Sequence, residues 1–263
     1  LPTGPSAAFA PPPRPAPDIK RLNVGIPANV GPGATFMLRF GDYTIPVTCP
    51  PNSGPGRQVQ FDVDLTAVKQ QHVVKLLSAI MQQRVPEQQV KETLMKLELL
   101  TPDHFFLAAG NVISAICFNY DSRIRHATFK RFVKLLTQIP EGYLRPHVPI
   151  LVQNLEHNEW VTRESCLQLL KRMPAEVLCP HAVSIMSKIR DRDSDVRNVA
   201  EEVAAQFNDK QQLLQQYAHH YATALTSPNL ALRWGALSLL AKLDGPSVGK
   251  YAGSIVAQFT VQE

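Results

Sequence analysis

The spacing of apolar residues changes once along the chain, at about residue 65. Beyond it, apolar side chains recur every three or four positions, which places them on one face of an α-helix. The face formed by Val68, His72, Leu77 and Ile80 predicts a first helix. Further helices are predicted over 86–100 and 102–118, each with a proline in its first turn, where the missing amide is tolerated.

One five-residue pattern occurs four times in the second half of the chain. Each copy has Asp or Asn, two further residues, a branched apolar residue, and then Arg or Thr. The branched residue recurs after 37, 35 and 36 positions, at Ile124, Val161, Val196 and Leu232. A period of this length is typical of helical repeat proteins, in which one helix pair stacks on the next.

The repeated residues have structural interpretations. Asp or Asn directly before a helix is a favourable N-cap, because its side-chain oxygen accepts hydrogen bonds from unpaired amides of the first turn. The branched residue begins an apolar stripe that continues four and eight positions later. The following arginine is interpreted as a partner in an Asp–Arg ladder between adjacent repeats. The positions assigned to the repeat scaffold are Asp121, Arg125, Asn158, Asp193, Arg197, Asn229 and Arg233.

A second helix is predicted in each repeat. The segment beginning Pro146-His147 matches the one beginning Pro180-His181, and two later tyrosine-led segments take the same place. The predicted ends recur after 34, 36 and 34 positions, at Leu155, Ile189, Leu225 and Phe259. Two landmarks therefore share one period, and a weaker match over 86–120 indicates an additional, degenerate first repeat.

These units resemble HEAT repeats, a branch of the armadillo-type α-solenoids. Asp193 to Ala200 carries the Asp-x-x-Val-Arg-x-x-Ala motif of that family, and the resemblance extends over about 86–263. It implies a mainly α-helical, right-handed solenoid of about five helix pairs within 65–263. One copy departs from the motif, because Thr162 stands where the arginine is expected and Arg163 follows one residue later.

Residues 21–64 form a predicted small β module with an internal duplication. Residues 24–40 align with 47–63 at a constant offset of 23 positions. Alternating apolar residues predict four short antiparallel strands, at about 22–26, 35–40, 43–48 and 58–63. A hairpin is expected at Gly41-Asp42, and Asn29 and Asn52 are expected in turns that tolerate a left-handed backbone.

The turns of this module are similar to Pro-Gly β repeats, such as those in the substrate-binding domains of J-domain co-chaperones. The similarity covers about 40 residues. Neither a J domain nor a zinc-binding cysteine module accompanies it in this sequence, so a chaperone role does not follow.

Residues 1–20 form a third zone, a proline-rich arm. Proline removes amide donors and fixes φ, which excludes this segment from helices and central strands. Two interpretations stay open: a disordered or polyproline II leader, or an extended arm that becomes ordered on a partner.

Composition limits the possible environments. The formal net charge is +5, a mild excess that would favour an anionic partner without requiring one. The cysteines lack CxxC spacing, which indicates reduced thiols in the cytoplasm or an organelle interior. No apolar run approaches the roughly 20 residues of a membrane helix, so membrane insertion is not expected.

Few residues suggest chemistry. The sequence has no phosphate-binding glycine loop, no His-Glu-x-x-His motif and no arguable catalytic triad, so we expect no enzyme activity, no metal and no cofactor. Trp160 and Trp234 are candidate partner contacts, although core packing is the alternative. A basic stripe could bind partners or nucleic acid, or be an ordinary solvated face; it comprises Lys130, Arg131, Lys134, Lys171 and Arg172.

The sequence therefore predicts a non-catalytic protein–protein interaction scaffold or accessory subunit of a larger assembly. Other protein subunits would bind along the solenoid surface and the amino-terminal arm. The alternative is a nucleic-acid-binding HEAT-like protein that uses the basic stripe.

Overall fold

The computed structural model describes residues 16–81, 85–106, 108–118 and 133–260. It is mainly helical, with a small antiparallel β structure near the amino end. The chain divides into two compact units, Leu1–Asn111 and Val112–Glu263, called here the amino-terminal and carboxy-terminal units. Several predictions lie outside the described residues, namely those for residues 1–15 of the arm and for Asp121, Arg125, Lys130 and Arg131.

Four strands form the β module, close to their predicted positions. Strands β2 and β3 form the expected hairpin around Gly41, while β1 pairs antiparallel with β4. The module is therefore two two-stranded ladders. The strands are β1 Ile19–Gly25, β2 Thr35–Phe40, β3 Tyr43–Thr48 and β4 Gln58–Asp64.

The sequence duplication appears as repeated backbone geometry. The amide of Gly33 donates to the carbonyl of Cys49 at 2.8 Å, and the equivalent amide of Gly56 donates to that of Ile26 at 2.9 Å. A glycine amide of each copy thus donates to a carbonyl of the other copy. Both copies also contribute apolar side chains to one buried cluster.

The prediction for the asparagine turns is confirmed in part: Asn29 and Asn52 lie in turns, but their backbone is not left-handed. Asn29 and Asn52 keep negative φ, whereas Gly33 and Gly56 have φ of 77° and 78°. Glycine adopts this backbone region without the steric cost that a Cβ imposes. The left-handed positions fall on the glycines of the next turns, which close with hydrogen bonds from the amides of Ala34 and Arg57 to the carbonyls of Gly31 and Gly54.

Helices α1 and α2 complete the described amino-terminal unit, with α1 packed against β3 and α2. The predicted helix over 102–118 is interrupted: Pro102–His104 is a 3₁₀ turn, and α3 begins only at Ala109. The helix bounds are α1 Leu65–Met81, α2 Glu87–Glu98 and α3 Ala109–Phe118.

In the carboxy-terminal unit, helices of about three turns alternate with second helices, of which those over 141–156 and 175–190 contain short 3₁₀ segments, whereas Gln211–Ala224 is continuous. Prolines 146 and 180 lie in two of these segments, because a proline removes a helical hydrogen bond. The helices are α4 Glu141–Leu144, α5 Val148–Gln153, α6 Trp160–Leu170, α7 Ala175–Leu178, α8 Ala182–Ser187, α9 Ser194–Ala204, α10 Gln211–Ala224, α11 Leu230–Leu240, α12 Gly245–Gly249 and α13 Ala252–Thr260.

Helix starts correct the alignment of one repeat. Asp193 and Asn229 cap α9 and α11, each accepting a first-turn amide as expected. The assignment of Asn158 as a cap is wrong, because the residue before α6 is Glu159, whose side chain makes no capping hydrogen bond. The corrected steps between helix starts are 34 and 36, which equal the first two steps predicted from the sequence for the ends of the second helices.

Arginine contacts confirm the corrected alignment and show that Arg163, not Thr162, holds the arginine position. In Arg163, Arg197 and Arg233, Nη1 donates to the carbonyls five and six residues earlier, at 2.8 to 3.3 Å. Each arginine thereby closes the loop before its own helix. The acceptors are His157 and Asn158, Asp191 and Arg192, and Ser227 and Pro228.

The expected Asp–Arg ladder is reduced to one pair among the described residues, and this pair lies at Arg163, in the copy that departs from the motif. Its guanidinium makes two hydrogen bonds to Asp191 in the loop of the next repeat, at 2.8 and 2.6 Å. Ser227 occupies the position of Asp191 one repeat later, so Arg197 has no carboxylate at the equivalent place.

A second recurring contact links adjacent repeats after each first helix. Arg172, Gln206 and Lys242 stand 34 and 36 residues apart, and each side chain donates to the preceding repeat. Their acceptors are the carbonyls of Leu136 and Ile139, the carbonyl of Lys171, and Oδ1 of Asn208.

Helix packing is close at α11. Helix α6 packs on α9, whereas α11 packs on α8 and α10. A Cβ added at Gly235 would lie 2.7 Å from the carbonyl oxygen of Val183 and 3.0 Å from the amide nitrogen of Ser187. The two helix backbones therefore approach directly at Gly235, while the neighbouring Ala236 is fully buried as predicted.

Candidate protein-binding surface

An apolar and aromatic surface lies at the start of α11. Leu230 is the first residue of the helix and is 64% exposed. Trp234 follows one turn later and is half-buried, with the guanidinium carbon of Arg190 stacked 4.3 Å from its ring centroid. We call Leu230, Trp234 and Arg190 the Leu230 surface.

Local sequence explains the geometry of the Leu230 surface. Asn229 caps α11 through a 2.9 Å hydrogen bond from the amide of Ala231, which fixes the direction in which the helix begins. Residues four positions apart lie on the same face of a helix, so Leu230 and Trp234 are neighbours. A cation over an indole ring contributes about 0.5–1 kcal/mol at an exposed site, enough to orient Arg190.

A groove of about 650 Å³ lies next to this helix start. Its lining combines apolar and polar side chains from three repeats, namely Val152, Gln153, Asn154, Glu156, His157, Ser184, Asn229 and Leu232. Asn229 and Leu232 flank Leu230 in the sequence, so the groove and the Leu230 surface both lie at the start of α11.

Trp160 lies elsewhere in the repeat pattern. It is the first residue of α6 and is half-buried. Trp160 is equivalent to Leu230 and not to Trp234, because Trp160 and Leu230 are each the first residue of the first helix of a repeat. The structure therefore places the two predicted tryptophans at different positions of the repeat and does not bring them together as one equivalent pair.

The described part of the predicted basic stripe is largely engaged in structural contacts. Lys134 is exposed. Lys171 pairs with Glu202 at 2.8 Å, and both side chains are about half exposed. Arg172 donates from Nη1 to the carbonyls of Leu136 and Ile139 at 2.9 and 2.8 Å, and burial lowers the pKa of its guanidinium. Arg172 therefore acts as a link between repeats.

Tyr221 and Cys179 make a buried polar contact in this unit. Tyr221 is fully buried and its hydroxyl donates to the carbonyl of Cys179 at 3.1 Å. Burial raises the pKa of the Cys179 thiol to about 11, which keeps it protonated at neutral pH. A protonated thiol is a poor nucleophile.

Sequence reasoning missed Leu230 and Arg190. The sequence does mark Leu230. The exposed first turn of a helix usually carries polar residues after its cap, and leucine stands at position 230 where the preceding repeat has Ser194. No local signal marked Arg190, since its contact with Trp234 depends on how α11 crosses α8.

Among the described residues, no helix is both long and apolar enough to cross a membrane. The same part of the chain contains no group of three His, Cys, Asp or Glu side chains placed to hold a metal ion. Comparison with protein-family models, with curated proteins and with solved structures finds no match for this chain.

Proposed function

We propose that the protein is a non-catalytic interaction scaffold, or an accessory subunit of a larger assembly, built as a HEAT-like α-solenoid of about five helix pairs. Other protein subunits bind along the helical repeats, with the Leu230 surface as a principal contact. The proline-rich arm adds a second contact with the same partners.

The recurring contacts support the architectural part of this proposal. The arginine contacts and the links from Arg172, Gln206 and Lys242 share steps of 34 and 36 residues, although they lie at opposite ends of the first helices. Stacked repeats contact only their neighbours. The links from Arg172, Gln206 and Lys242 are contacts of this kind, because each joins one repeat to the preceding one.

The Leu230 surface supports the interaction function most directly. Binding hot spots are enriched in Trp and Arg, and they gain free energy when a partner removes apolar area from water. Leu230 exposes most of its side chain beside a tryptophan that Arg190 already orients. Preorganised side chains lose less conformational entropy on binding, which increases the affinity that a given contact provides.

We expect Leu230→Glu to remove partner binding while the protein remains folded. A charge placed in the centre of an apolar interface is desolvated without a partner, and hot-spot losses of about 2 kcal/mol or more reduce affinity at least roughly 30-fold. The measurement is quantitative affinity purification from the native source, followed by a binding titration with the recovered partner. Trp234→Ala should show a smaller loss in the same direction.

Val256→Glu is the matched control, because Val256 is similarly exposed, at 59%, but lies on α13. It should retain the partner. Equal retention by Leu230→Glu and the wild type would contradict the proposed surface. Recovery of nucleic acid, with affinity that falls steeply as salt increases, would favour the alternative function instead.

A further inference from the structure

A hydrogen-bonded cluster of titratable side chains joins the β2–β3 hairpin to the helical part of the amino-terminal unit. The Tyr43 hydroxyl at the start of β3 lies 2.6 Å from Nε2 of His104, which ends the 3₁₀ turn Pro102–His104. The two rings stack with centroids 6.2 Å apart. His104 is only 7% exposed, so this contact lies inside the unit.

The partners of His104 fix which ring nitrogen carries the proton. Nδ1 faces the carbonyl oxygen of Thr101 at 3.2 Å and its Oγ1 at 2.8 Å. The carbonyl can only accept, and the hydroxyl proton of Thr101 is already donated to Asp103. Nδ1 is therefore the donor, Nε2 is the acceptor, and the Tyr43 hydroxyl donates to it. The neutral imidazole satisfies every group in this arrangement.

Protonation of His104 would break this arrangement. A proton on Nε2 turns that nitrogen into a donor, so the Tyr43 hydroxyl would have to rotate its own proton away from the ring. The Tyr43 proton then loses its acceptor at this contact, and the folded unit loses the hydrogen bond that joins the hairpin to the 3₁₀ turn. The imidazolium would also be a buried charge.

Other charges around the pair act in both directions. Asp103 lies beside Nδ1 at 3.6 Å and favours the imidazolium, whereas Lys69 of α1 opposes it. Lys69 in turn pairs with Asp103 and with Asp18, which precedes β1. Burial would raise the pKa of Asp103, but hydrogen bonds from Lys69 and Thr101 lower it to about 2, so this carboxylate stays charged and occupied.

The remaining titratable groups lie on the hairpin and on α1. His72 of α1 meets the Tyr43 ring edge-on, with centroids 5.3 Å apart, and Asp42 of the hairpin turn acts on both side chains. Burial lowers the pKa of His104 and of His72 and raises that of Tyr43. Both histidines therefore favour their neutral forms in the folded unit.

We propose that the Tyr43–His104 pair is a pH-sensitive latch that holds the β2–β3 hairpin on α1 and the adjacent 3₁₀ turn at neutral pH and loosens it in mild acid. The sign follows from linkage. The unfolded or released state has the ordinary histidine pKa of about 6.5. Just below that pH, the released state binds more protons than the folded state in which the Tyr43–His104 contact is made. The stabilising contribution of the Tyr43–His104 pair is therefore fully present above about pH 6.5 and decreases as the pH falls below that value.

Hydrogen exchange of the full chain tests the latch. Backbone amides of the hairpin segment 35–48 should lose protection severalfold between pH 7.5 and pH 5.5, after correction for the intrinsic pH dependence of exchange. His104→Gln, which stays neutral, should remove this pH dependence. Tyr43→Phe keeps the ring but removes the hydroxyl, and should give reduced protection at both pH values.

His72→Gln tests the second histidine of the cluster. Because the proposal assigns the pH dependence to His104, the hairpin amides of this variant should keep the wild-type dependence of protection on pH. A second measurement uses the wild-type chain and therefore does not depend on how well a variant at position 104 folds: the imidazole resonance of His104 is followed through a pH titration. A titration midpoint at or above 6.5, wild-type protection that does not change with pH, or a pH dependence that persists in His104→Gln would each overturn the proposal.

Discussion

Replacing Arg163 with alanine is expected to destabilise the carboxy-terminal unit by about 3–5 kcal/mol, because the change leaves a buried carboxylate without its partner. Arg163 is 4% exposed, and the side chain of Asp191 is comparably buried. The same guanidinium also holds the carbonyls of His157 and Asn158 at 2.8 and 2.9 Å. Those carbonyls and the carboxylate would have to find water or remain unsatisfied.

Equilibrium urea unfolding of the full chain, followed by far-ultraviolet circular dichroism, would measure this loss. Lys171→Ala is the control, because the Lys171–Glu202 pair spans adjacent repeats in the same way but is exposed on both sides. Loss of the exposed Lys171–Glu202 pair should lower the free energy of unfolding by less than about 1 kcal/mol. Similar losses for the two variants would show that burial does not decide the strength of the Arg163 contact.

The Arg163–Asp191 pair also predicts an acid dependence. Burial would raise the pKa of Asp191, but hydrogen bonds from Arg163 and from the amide of Asp193 lower it below 3.8. A carboxyl with a lowered pKa stabilises the folded state above its unfolded value, and this contribution disappears as pH falls through the folded value. The unfolded state is common to both proteins, and burial raises the pKa of Asp191 once Arg163 is removed. The difference in stability between wild type and Arg163→Ala should therefore shrink as the pH falls into the range where Asp191 of the variant takes up a proton.

The repeat at Arg163 also shows where sequence reasoning reaches its limit. Val161 and Asn158 fit the apolar and polar classes of the motif, so an alignment by residue type accepts them one position early. The structure shifts this repeat because Arg163, rather than Thr162, reaches the carbonyls five and six residues earlier. The pattern of apolar and polar residues cannot distinguish the two alignments of this repeat, since the correct one depends on whether the side chain at position 162 or at position 163 reaches the loop.

The β module was predicted more completely because its signals are local. Alternation fixed the strand positions, and the Gly41-Asp42 turn fixed the β2–β3 hairpin. The pairing of β1 with β4 joins residues about 40 positions apart, and no turn sequence specifies it. Likewise, the Leu230 surface depends on Arg190 reaching Trp234 across a helix crossing, so the tryptophan alone was visible in the sequence.

Gly235→Ala is expected to destabilise the same unit, although alanine is normally the better helix residue. Alanine gains roughly 1 kcal/mol over glycine within a helix. The new Cβ would, however, lie 2.7 Å from the carbonyl oxygen of Val183 and 3.0 Å from the amide nitrogen of Ser187. Both are backbone atoms, so relief requires α11 and α8 to move apart, and overpacking of this kind costs about 1–3 kcal/mol net of relaxation.

Gly253→Ala is the matched control, because Gly253 also lies within a helix but its added Cβ meets nothing within 4 Å. It should leave stability unchanged or raise it by up to about 1 kcal/mol. Gly235→Ala should instead lower the urea midpoint, and Gly235→Val should lower it further. If both alanine variants stabilise the protein equally, then α8 and α11 do not cross as closely as Gly235 implies. Since Trp234 is the adjacent residue, a displaced α11 should also weaken partner binding through the Leu230 surface.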